Sequence, residues 1–173
     1  MKPYEIDKAL KSIVIVADTR EQETEQYFKR MKGIGFPFIR EKLDFCDYTC
    51  KYTDNEGVEH DLRNEIGIER KMSLDELCGN FCKGRARFER EFERARDAGC
   101  KVHLIVENGS IDKIVDGEYR SKLNSNSLLS SLIAFADRYD ITYHFSMTKD
   151  TPLLINKIFT HHVRNKLYEQ LEE

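Results

Sequence analysis

The 173-residue sequence lacks any apolar run long enough to cross a lipid bilayer. Its apolar runs are short, such as IVIVA at residues 13–17, whereas a membrane-spanning helix needs about 20 such residues. The N-terminal segment MKPYEIDKALKS carries acidic residues and lacks the apolar centre of a signal peptide. Internal repeats, low-complexity tracts and linkers are missing as well. We therefore expect one domain over residues 1–173, with no membrane partner and no export.

An even number of cysteines, as a disulfide framework requires, is also missing. Five cysteines in a chain without an export signal predict reduced thiols and a cytoplasmic location. The spacings Cys46-x3-Cys50 and Cys78-x3-Cys82 leave a zinc site open as an alternative. Because one pair falls in a predicted strand and the other in a predicted helix, buried thiols acting as small apolar side chains are favoured.

The chain has no excess of positive charge, since its net charge is −3. This balance does not exclude a nucleic-acid partner, because phosphate recognition depends on local patches and an acidic metal site subtracts from the total. Apolar residues make up 40% of the chain and aromatic residues 10%, which is typical of a folded globule and not of a disordered protein.

Short apolar runs alternate with helical patterns, which predicts an α/β fold. Predicted strands cover residues 13–17, 37–43, 44–53, 58–71 with a break near Asn64, 102–106 and 141–145. Predicted helices begin near Glu21, at Ser73, at Arg85, at Leu128 and at Thr151. The turn signal at residues 54–57 predicts a hairpin that brings Asp47 and Glu69 onto neighbouring strands.

Glu69 and Lys71 lie two residues apart near the end of a predicted strand. Strand side chains alternate, so the carboxylate and the ammonium share one face. A metal ligand beside a fixed positive charge suits the hydrolysis of a phosphodiester, which needs a hard cation and stabilisation of the charge on phosphorus. In a chain that is 34% charged, such a triplet taken alone is more often part of a solvated face.

Further acidic residues stand at the ends of other predicted strands. Asp18, Arg20 and Glu21 follow the first strand, and Asp47 lies in the third. Asp18, Asp47 and Glu69 could converge around Mg²⁺ or Mn²⁺, and their mutual repulsion would disfavour such a cluster without a cation. Each also has an ordinary alternative: Asp18 as a helix cap and Asp47 as a solvated strand residue.

A basic segment follows the E-x-K triplet. Lys83, Arg85, Arg87 and Arg90 surround a single acid, Glu89. This segment predicts a phosphate-binding edge, with a solvated helix face as the alternative. Phe88 and Phe92 share a helical stripe with Ala95 and are interpreted as core, and His161 with His162 as surface or interface.

Five segments in order, IVIVADTREQ, DFCDYT, IGIERKMSLDEL, KGRARFEREFERA and VHLIVEN, give the chain a resemblance to a known family. They resemble the nuclease domain of the XPF-type structure-specific endonucleases, whose signature is V-x-D-x-R-E, G-D-Y and E-R-K-x-x-x-D. The match covers residues 13–107 by motif. It implies a three-layer α/β/α, restriction-endonuclease-like nuclease core of the PD-(D/E)-x-K class with a mixed central sheet.

The resemblance also implies roles for individual residues. Its catalytic set is Asp18, Arg20, Glu21, Asp47, Glu69 and Lys71, and its ligands for Mg²⁺ or Mn²⁺ are Asp18, Asp47, Glu69 and the backbone carbonyl of Arg70. Lys71 would orient the attacking water and steady the phosphoryl charge, while Asp75 would lie behind the ligands. Arg85 would contact DNA phosphate, and the basic segment adds Lys83 and Arg87 as candidates for nucleic-acid binding.

Two departures from the family pattern limit what the resemblance implies for this chain. Cys46 stands where the family has glycine before Asp-Tyr, so the resemblance does not determine the local backbone shape. Nothing after residue 146 looks like the tandem helix-hairpin-helix module of full-length members. The chain would be a bare nuclease domain of a prokaryotic, phage or mobile-element protein, and a homodimer through the helices at 128–139 and 151–171.

The sequence thus predicts a Mg²⁺-dependent DNA endonuclease that acts on branched or flap-type DNA in repair or recombination, with no small-molecule substrate. Two alternatives remain. The chain could be a non-catalytic DNA-binding or scaffolding subunit with a nuclease fold. It could also be a restriction-type enzyme that reads a short duplex sequence.

Overall fold

The structure, a computed structural model, describes residues 3–172, with side chains described for residues 4–169. The helices are α1 (Pro3–Lys11), α2 (Glu25–Ile34), α3 (Leu74–Phe81), α4 (Arg85–Asp97), α5 (Ile111–Val115), α6 (Ser125–Tyr139) and α7 (Thr151–Glu172). The strands are β1 (Val14–Asp18), β2 (Phe38–Glu41), β3 (Tyr48–Thr53), β4 (Glu59–Asp61), β5 (Ile66–Lys71), β6 (Lys101–Glu107) and β7 (Ile141–Ser146). Within that part of the chain, no helix is both long and apolar enough to cross a membrane.

The strands form one mixed sheet in the order β2-β1-β3-β5-β6-β7, with β4 paired to β3. Strand β1 is parallel to β2 and antiparallel to β3, which is antiparallel to β5. Strands β5, β6 and β7 are parallel, as expected where helices cover both faces of a sheet. The predicted mixed central sheet is confirmed.

Two hydrophobic cores lie on opposite faces of the sheet. Ile66, Ile68 and Ile105 face the layer formed by α1, α2 and α7. Leu104 and Val106 face the layer of α3, α4 and α6. Strand β6 supplies both cores, because its successive side chains point to opposite faces. The result is the three-layer α/β/α arrangement predicted from the sequence.

The helix starts agree with the capping signals in most details. Ser73 Oγ accepts a hydrogen bond from the Glu76 amide (3.2 Å), as the capping-box pattern predicts. The Glu76 carboxylate, however, accepts from the Met72 amide (2.7 Å) and not from that of Ser73. Helix α2 begins at Glu25, later than predicted, because Thr24 caps it by accepting from the Tyr27 amide. Helix α1 was not predicted.

Strand β3 begins at Tyr48, four residues after the predicted start at 44. Cys46 adopts a left-handed backbone conformation with φ 61°, which takes the preceding residues out of the extended ladder. Glycine is the usual residue in this conformation, which suits the glycine of the resembled pattern at this position.

The cysteines are all free, and four of them, Cys46, Cys50, Cys78 and Cys100, are buried. Burial raises the pKa of the Cys46 and Cys50 thiols, which therefore stay protonated and pack as small apolar groups. Across residues 4–169, no three His, Cys, Asp or Glu side chains are grouped so that they could hold a metal ion. The zinc alternative receives no support from this arrangement.

Candidate active site

Backbone hydrogen bonds tie together the ends of three neighbouring strands. The Asp47 amide donates to the Ile68 carbonyl of β5 (2.9 Å), and the Asp18 amide at the end of β1 donates to the Asp47 carbonyl (2.8 Å). Asp47 itself lies just before β3. These bonds bring residues that are far apart in the sequence to one edge of the sheet.

Asp47 and Glu69 form the acidic centre of this edge. The Arg70 amide donates to Asp47 Oδ2 (2.8 Å), which fixes that carboxylate against β5. Burial, together with the nearby Glu69 and Glu21 carboxylates, raises the pKa of Asp47 well above its ordinary value. Burial likewise raises the pKa of Glu69 to about 7, although the Lys71 ammonium acts to lower it. The raised pKa values mean that this site disfavours the ionised form of both carboxyl groups. A bound cation would stabilise that ionised form.

Lys71 supplies the positive charge that the sequence places beside Glu69. Its ammonium pairs with Glu69 Oε1 and lies 5.1 Å from the centre of the Phe88 ring on α4. Burial acts to lower the pKa of Lys71, but the Glu69 and Asp47 carboxylates outweigh it, so the pKa is raised. Lys71 is therefore held as a buried cation. The second oxygen of Glu69, Oε2, is buried and has no hydrogen-bond partner in the described part of the chain.

A second charged network borders this centre on the α2 side of the sheet. Glu21 Oε2 accepts from the Arg30 guanidinium (2.7 Å) and from the Tyr48 hydroxyl (2.6 Å). The Arg70 guanidinium lies between two carboxylates, 3.8 Å from Glu21 and 3.2 Å from Glu107. Glu21, predicted from the sequence, thus lies beside this centre and anchors Arg30.

Sequence reasoning missed Arg30, Tyr48, Glu91 and Glu107. Glu107 is buried and ends β6, which is parallel to β5, so its place at the same sheet edge as Lys71 could have been inferred. Glu91 on α4 accepts from the Cys46 amide (3.1 Å), next to Asp47. Arg30 and Glu91 left no such signal, because each reaches the site from a helix whose packing the sequence does not specify.

Asp18 is engaged in hydrogen bonds of its own. Its Oδ1 accepts from the Arg20 amide (2.6 Å) and from Arg20 Nε (2.7 Å), and its Oδ2 accepts from the Leu43 amide (2.7 Å). Burial acts to raise the pKa of Asp18, but these bonds from Arg20 and Leu43 leave it lowered. Asp18 and Arg20 thus close the 18–20 turn and hold it against residue 43. This geometry does not support the prediction of Asp18 as a metal ligand.

We expect Asp18→Asn to lower the free energy of unfolding by about 2 kcal/mol. The NH₂ group of the new side chain would face the backbone N–H of Arg20 or Leu43, where the carboxylate now accepts a hydrogen bond. Since the folded pKa is lowered, the wild-type contribution is present above the unfolded pKa of about 3.9 and is lost as pH falls through the lower folded pKa. Urea unfolding at neutral pH and near pH 3 should therefore show a difference that shrinks in acid. The exposed Asp137→Asn is the control, and an equal loss at both pH values would contradict the argument.

The predicted basic segment lies at the start of α4. Arg85 Nε pairs with Glu89 (3.1 Å), and its guanidinium lies 5.4 Å from the centre of the Phe135 ring. Lys83 and Arg87 are exposed. Arg87 shares a side of the helix with Glu91 at i, i+4, and Glu91 contacts Cys46. Asp75, predicted to lie behind the metal ligands, accepts hydrogen bonds from the amides of Arg120 and Ser121. It therefore holds residues 120–121 against the first turn of α3.

The residues at the centre fit a hard divalent cation only in part. Asp47 and Glu69 offer two carboxylates with raised pKa values, and the orphaned Glu69 Oε2 lacks the partner that a cation would supply. Within residues 4–169 no third acidic, His or Cys side chain completes a group able to hold a metal. Mg²⁺ is compatible with this set, because it is commonly bound by one or two carboxylates while keeping several waters.

The ERCC4 domain is the family whose model matches this chain, over residues 17–158. No curated protein sequence matches it significantly. Among solved structures, XPF from Aeropyrum pernix superposes with a TM-score of 0.61 at 22% identity, covering 84% of this chain and 64% of that one. The same protein in complex with DNA gives a TM-score of 0.59 at 21% identity, covering 91% and 66%.

These matches confirm the restriction-endonuclease-like fold that the motifs imply. The chain spans less than two-thirds of the first of these archaeal structures. The family match contains Asp18, Asp47, Glu69 and Lys71, all of which lie at one sheet edge, although the Asp18 carboxylate is taken up by Arg20 and Leu43. The chain therefore belongs to the ERCC4-domain family.

Proposed function

We propose that this chain is a divalent-metal-dependent DNA endonuclease with its active site at Asp47, Glu69 and Lys71. The observation that carries the proposal is the buried pair of carboxylates with raised pKa values next to a buried ammonium. Groups with such perturbed pKa values cluster at functional sites. Membership of the ERCC4-domain family and the likeness in fold to an XPF structure solved with DNA support the same conclusion.

Asp47, Glu69 and the backbone carbonyl of Arg70 would hold the cation, Mg²⁺ or Mn²⁺. When bound, this cation polarises a phosphoryl oxygen and lowers the pKa of a water molecule. The Lys71 ammonium stabilises the negative charge that develops on the phosphoryl group and orients the attacking water. The Arg70 amide keeps Asp47 in place, and the Phe88 ring limits the access of bulk water to Lys71.

Lys71→Met should lower the turnover number about 100-fold, because it removes a charge that acts mainly on the transition state. Metal affinity, measured by calorimetry, should fall much less, since both proposed carboxylate ligands remain. Lys83→Met, which removes an exposed ammonium, is the matched control and should weaken DNA binding without changing turnover at saturating DNA. Equal losses of turnover and metal affinity in Lys71→Met would contradict this role.

The proposed substrate is branched or flap-type DNA, bound in part by Lys83, Arg85 and Arg87. A cleavage assay should compare plain duplex, flap, fork and Holliday-junction DNA, each with and without Mg²⁺. Metal-dependent cuts at the branched substrates are expected. Binding without cleavage of any substrate would favour the scaffolding alternative, and cleavage of plain duplex at a fixed sequence would favour the restriction-type alternative.

We further propose that residues 1–173 act as one domain and pair as a homodimer through α6 and α7. Both helices expose large apolar side chains to solvent: Ile133 is 62% exposed, Leu153 59% and Tyr168 50%. Exposed apolar surface of this kind is typical of interfaces. Sedimentation equilibrium should give twice the monomer mass, and a mass of 20.3 kDa would contradict the dimer.

A further inference from the structure

Four of the five histidines gather at one place that the proposed nuclease site does not use. A cleft of about 330 Å³ lies between the start of β6 and the middle of α7. Its polar wall consists of Lys101, His103, Lys157, His161, His162 and Asn165. His144 of β7 stands behind His103 and shares a 2.8 Å hydrogen bond with it.

This cleft is separate from Asp47, Glu69 and Lys71. Ile66, which contributes to its wall, begins β5, and Glu69 follows three residues later, about 10 Å along the strand. The two places also lie on opposite faces of the sheet. Ile66 belongs to the core beside α7, whereas Lys71 packs against Phe88 of α4. A phosphate held in the active site would therefore not reach the cleft.

The charges around the cleft favour an anion over a cation. Within the described part of the chain, neither Lys101 nor Lys157 forms an ion pair, and no carboxylate lines the wall. The nearby acids are Glu65, which pairs with Lys166 at 2.6 Å, and the exposed Glu169. Burial lowers the pKa of both His103 and His162, and the Lys101 charge lowers it further, while Glu65 and Glu169 oppose this shift at His162 without reversing it. A metal ion would meet the same repulsion from Lys101.

The cleft also holds hydrogen-bonding capacity that the folded chain does not use. His162 Nε2 is buried and has no partner among the described residues. Buried ring nitrogens are ordinarily satisfied, so an unused one indicates a missing partner. The hydrogen-bonded, stacked pair of His103 and His144, with ring centroids 5.1 Å apart, can exchange donor and acceptor roles by a change of tautomer.

We propose that this cleft binds a phosphate group, held by the Lys101 and Lys157 ammonium groups, the His162 ring and the Asn165 amide. Lysine ammonium groups and N–H donors are common ligands of phosphate oxygens. The group could come from a free phosphate compound, such as inorganic phosphate or a nucleotide, or from the DNA backbone away from the cut. The inference goes beyond the proposed nuclease function, because the cleft would bind phosphate whether or not the chain cuts DNA.

The test is a titration of the full chain with inorganic phosphate, followed through the imidazole signals of all five histidines by NMR. The signals of His103 and His162 should shift and saturate. His60, which is stacked on Tyr52 and bonded to Asp54, lies on β4 and serves as an internal control that should not move. Lys157→Gln and Lys101→Gln should each weaken phosphate binding at least about tenfold, and the exposed Lys122→Gln should not.

Two further arms identify the source of the phosphate. If a 5′-mononucleotide binds with the same dependence on Lys157 and an uncut duplex does not, the ligand is a free phosphate compound. If the duplex depends on Lys157 for binding, the ligand is the DNA backbone. The proposal is overturned if phosphate does not shift the His103 and His162 signals, or if Zn²⁺ shifts them and phosphate does not. It is also overturned if Lys157→Gln and Lys122→Gln bind phosphate equally.

Discussion

Glu69→Gln should reduce DNA cleavage about 1000-fold or more, while the protein still folds. The amide keeps the shape of the side chain and can still accept a hydrogen bond from Lys71, but it removes one of the two proposed carboxylate ligands. A loss of this size corresponds to about 4 kcal/mol of transition-state stabilisation, within the range that a positioned cation supplies. Initial rates on the best branched substrate, at saturating Mg²⁺, measure the effect.

Asp47→Asn should cause a loss of similar size, because Asp47 is the other proposed carboxylate ligand. The matched control is Glu93→Gln, an exposed carboxylate on α4 near the basic segment, which should cleave at the wild-type rate. Circular dichroism of each variant separates lost chemistry from lost folding. A folded Glu69→Gln protein that cuts at the wild-type rate would remove the basis of the proposed active site.

Gly67→Ala should destabilise the fold by about 3 kcal/mol. A Cβ at position 67 would stand 2.7 Å from Cys46 Sγ and 3.1 Å from Cys46 Cβ, closer than real side chains pack. Cys46 cannot easily move, because it is only 2% exposed. Urea unfolding measures the loss. Gly79→Ala in the exposed part of α3, where an added Cβ meets nothing within 4 Å, should instead stabilise by about 0.5–1 kcal/mol.

A second substitution tests the cause. Cys46→Gly removes the side-chain atoms that collide with a methyl group added at position 67, and it suits the backbone φ of 61°. Alone it should be nearly neutral, since relief of about 1 kcal/mol of backbone strain offsets the lost burial of the thiol. Combined with Gly67→Ala, it should recover more than half of the lost stability. If the two single effects simply add, the contact with Cys46 is not the reason for the loss.

Local patterns were enough to predict the strands in their order along the chain and the position of Asp47 beside Glu69. The E-x-K triplet ends β5, and Asp47 bonds to Ile68 of β5 as expected, although the turn at residues 54–57 itself joins β3 to β4. These features follow from side-chain alternation and turn chemistry, which act over a few residues. The resemblance to a known family supplied the rest of the roles.

Features that depend on distant packing were not predictable. The role of Asp18 is set by the Leu43 amide, which a sequence pattern cannot place beside it. Arg30 reaches Glu21 only because α2 packs where it does. Helix α1 escaped prediction because its buried residues, Ile6, Ala9 and Leu10, are few and lie in a short polar segment. In each case the missing information is tertiary and not local.

The end of β5 contacts both layers of the molecule: Lys71 packs on Phe88 of α4, and the preceding side chain, Arg70, lies between Glu21 and Glu107 on the other face. Detachment of the α4 layer would therefore take Phe88 away from Lys71, and detachment of the α2 layer would take Arg30 away from Glu21. During gradual denaturation, the proposed DNA cleavage should consequently be lost as soon as the weaker layer loosens, earlier than the spectroscopic signal of the sheet itself.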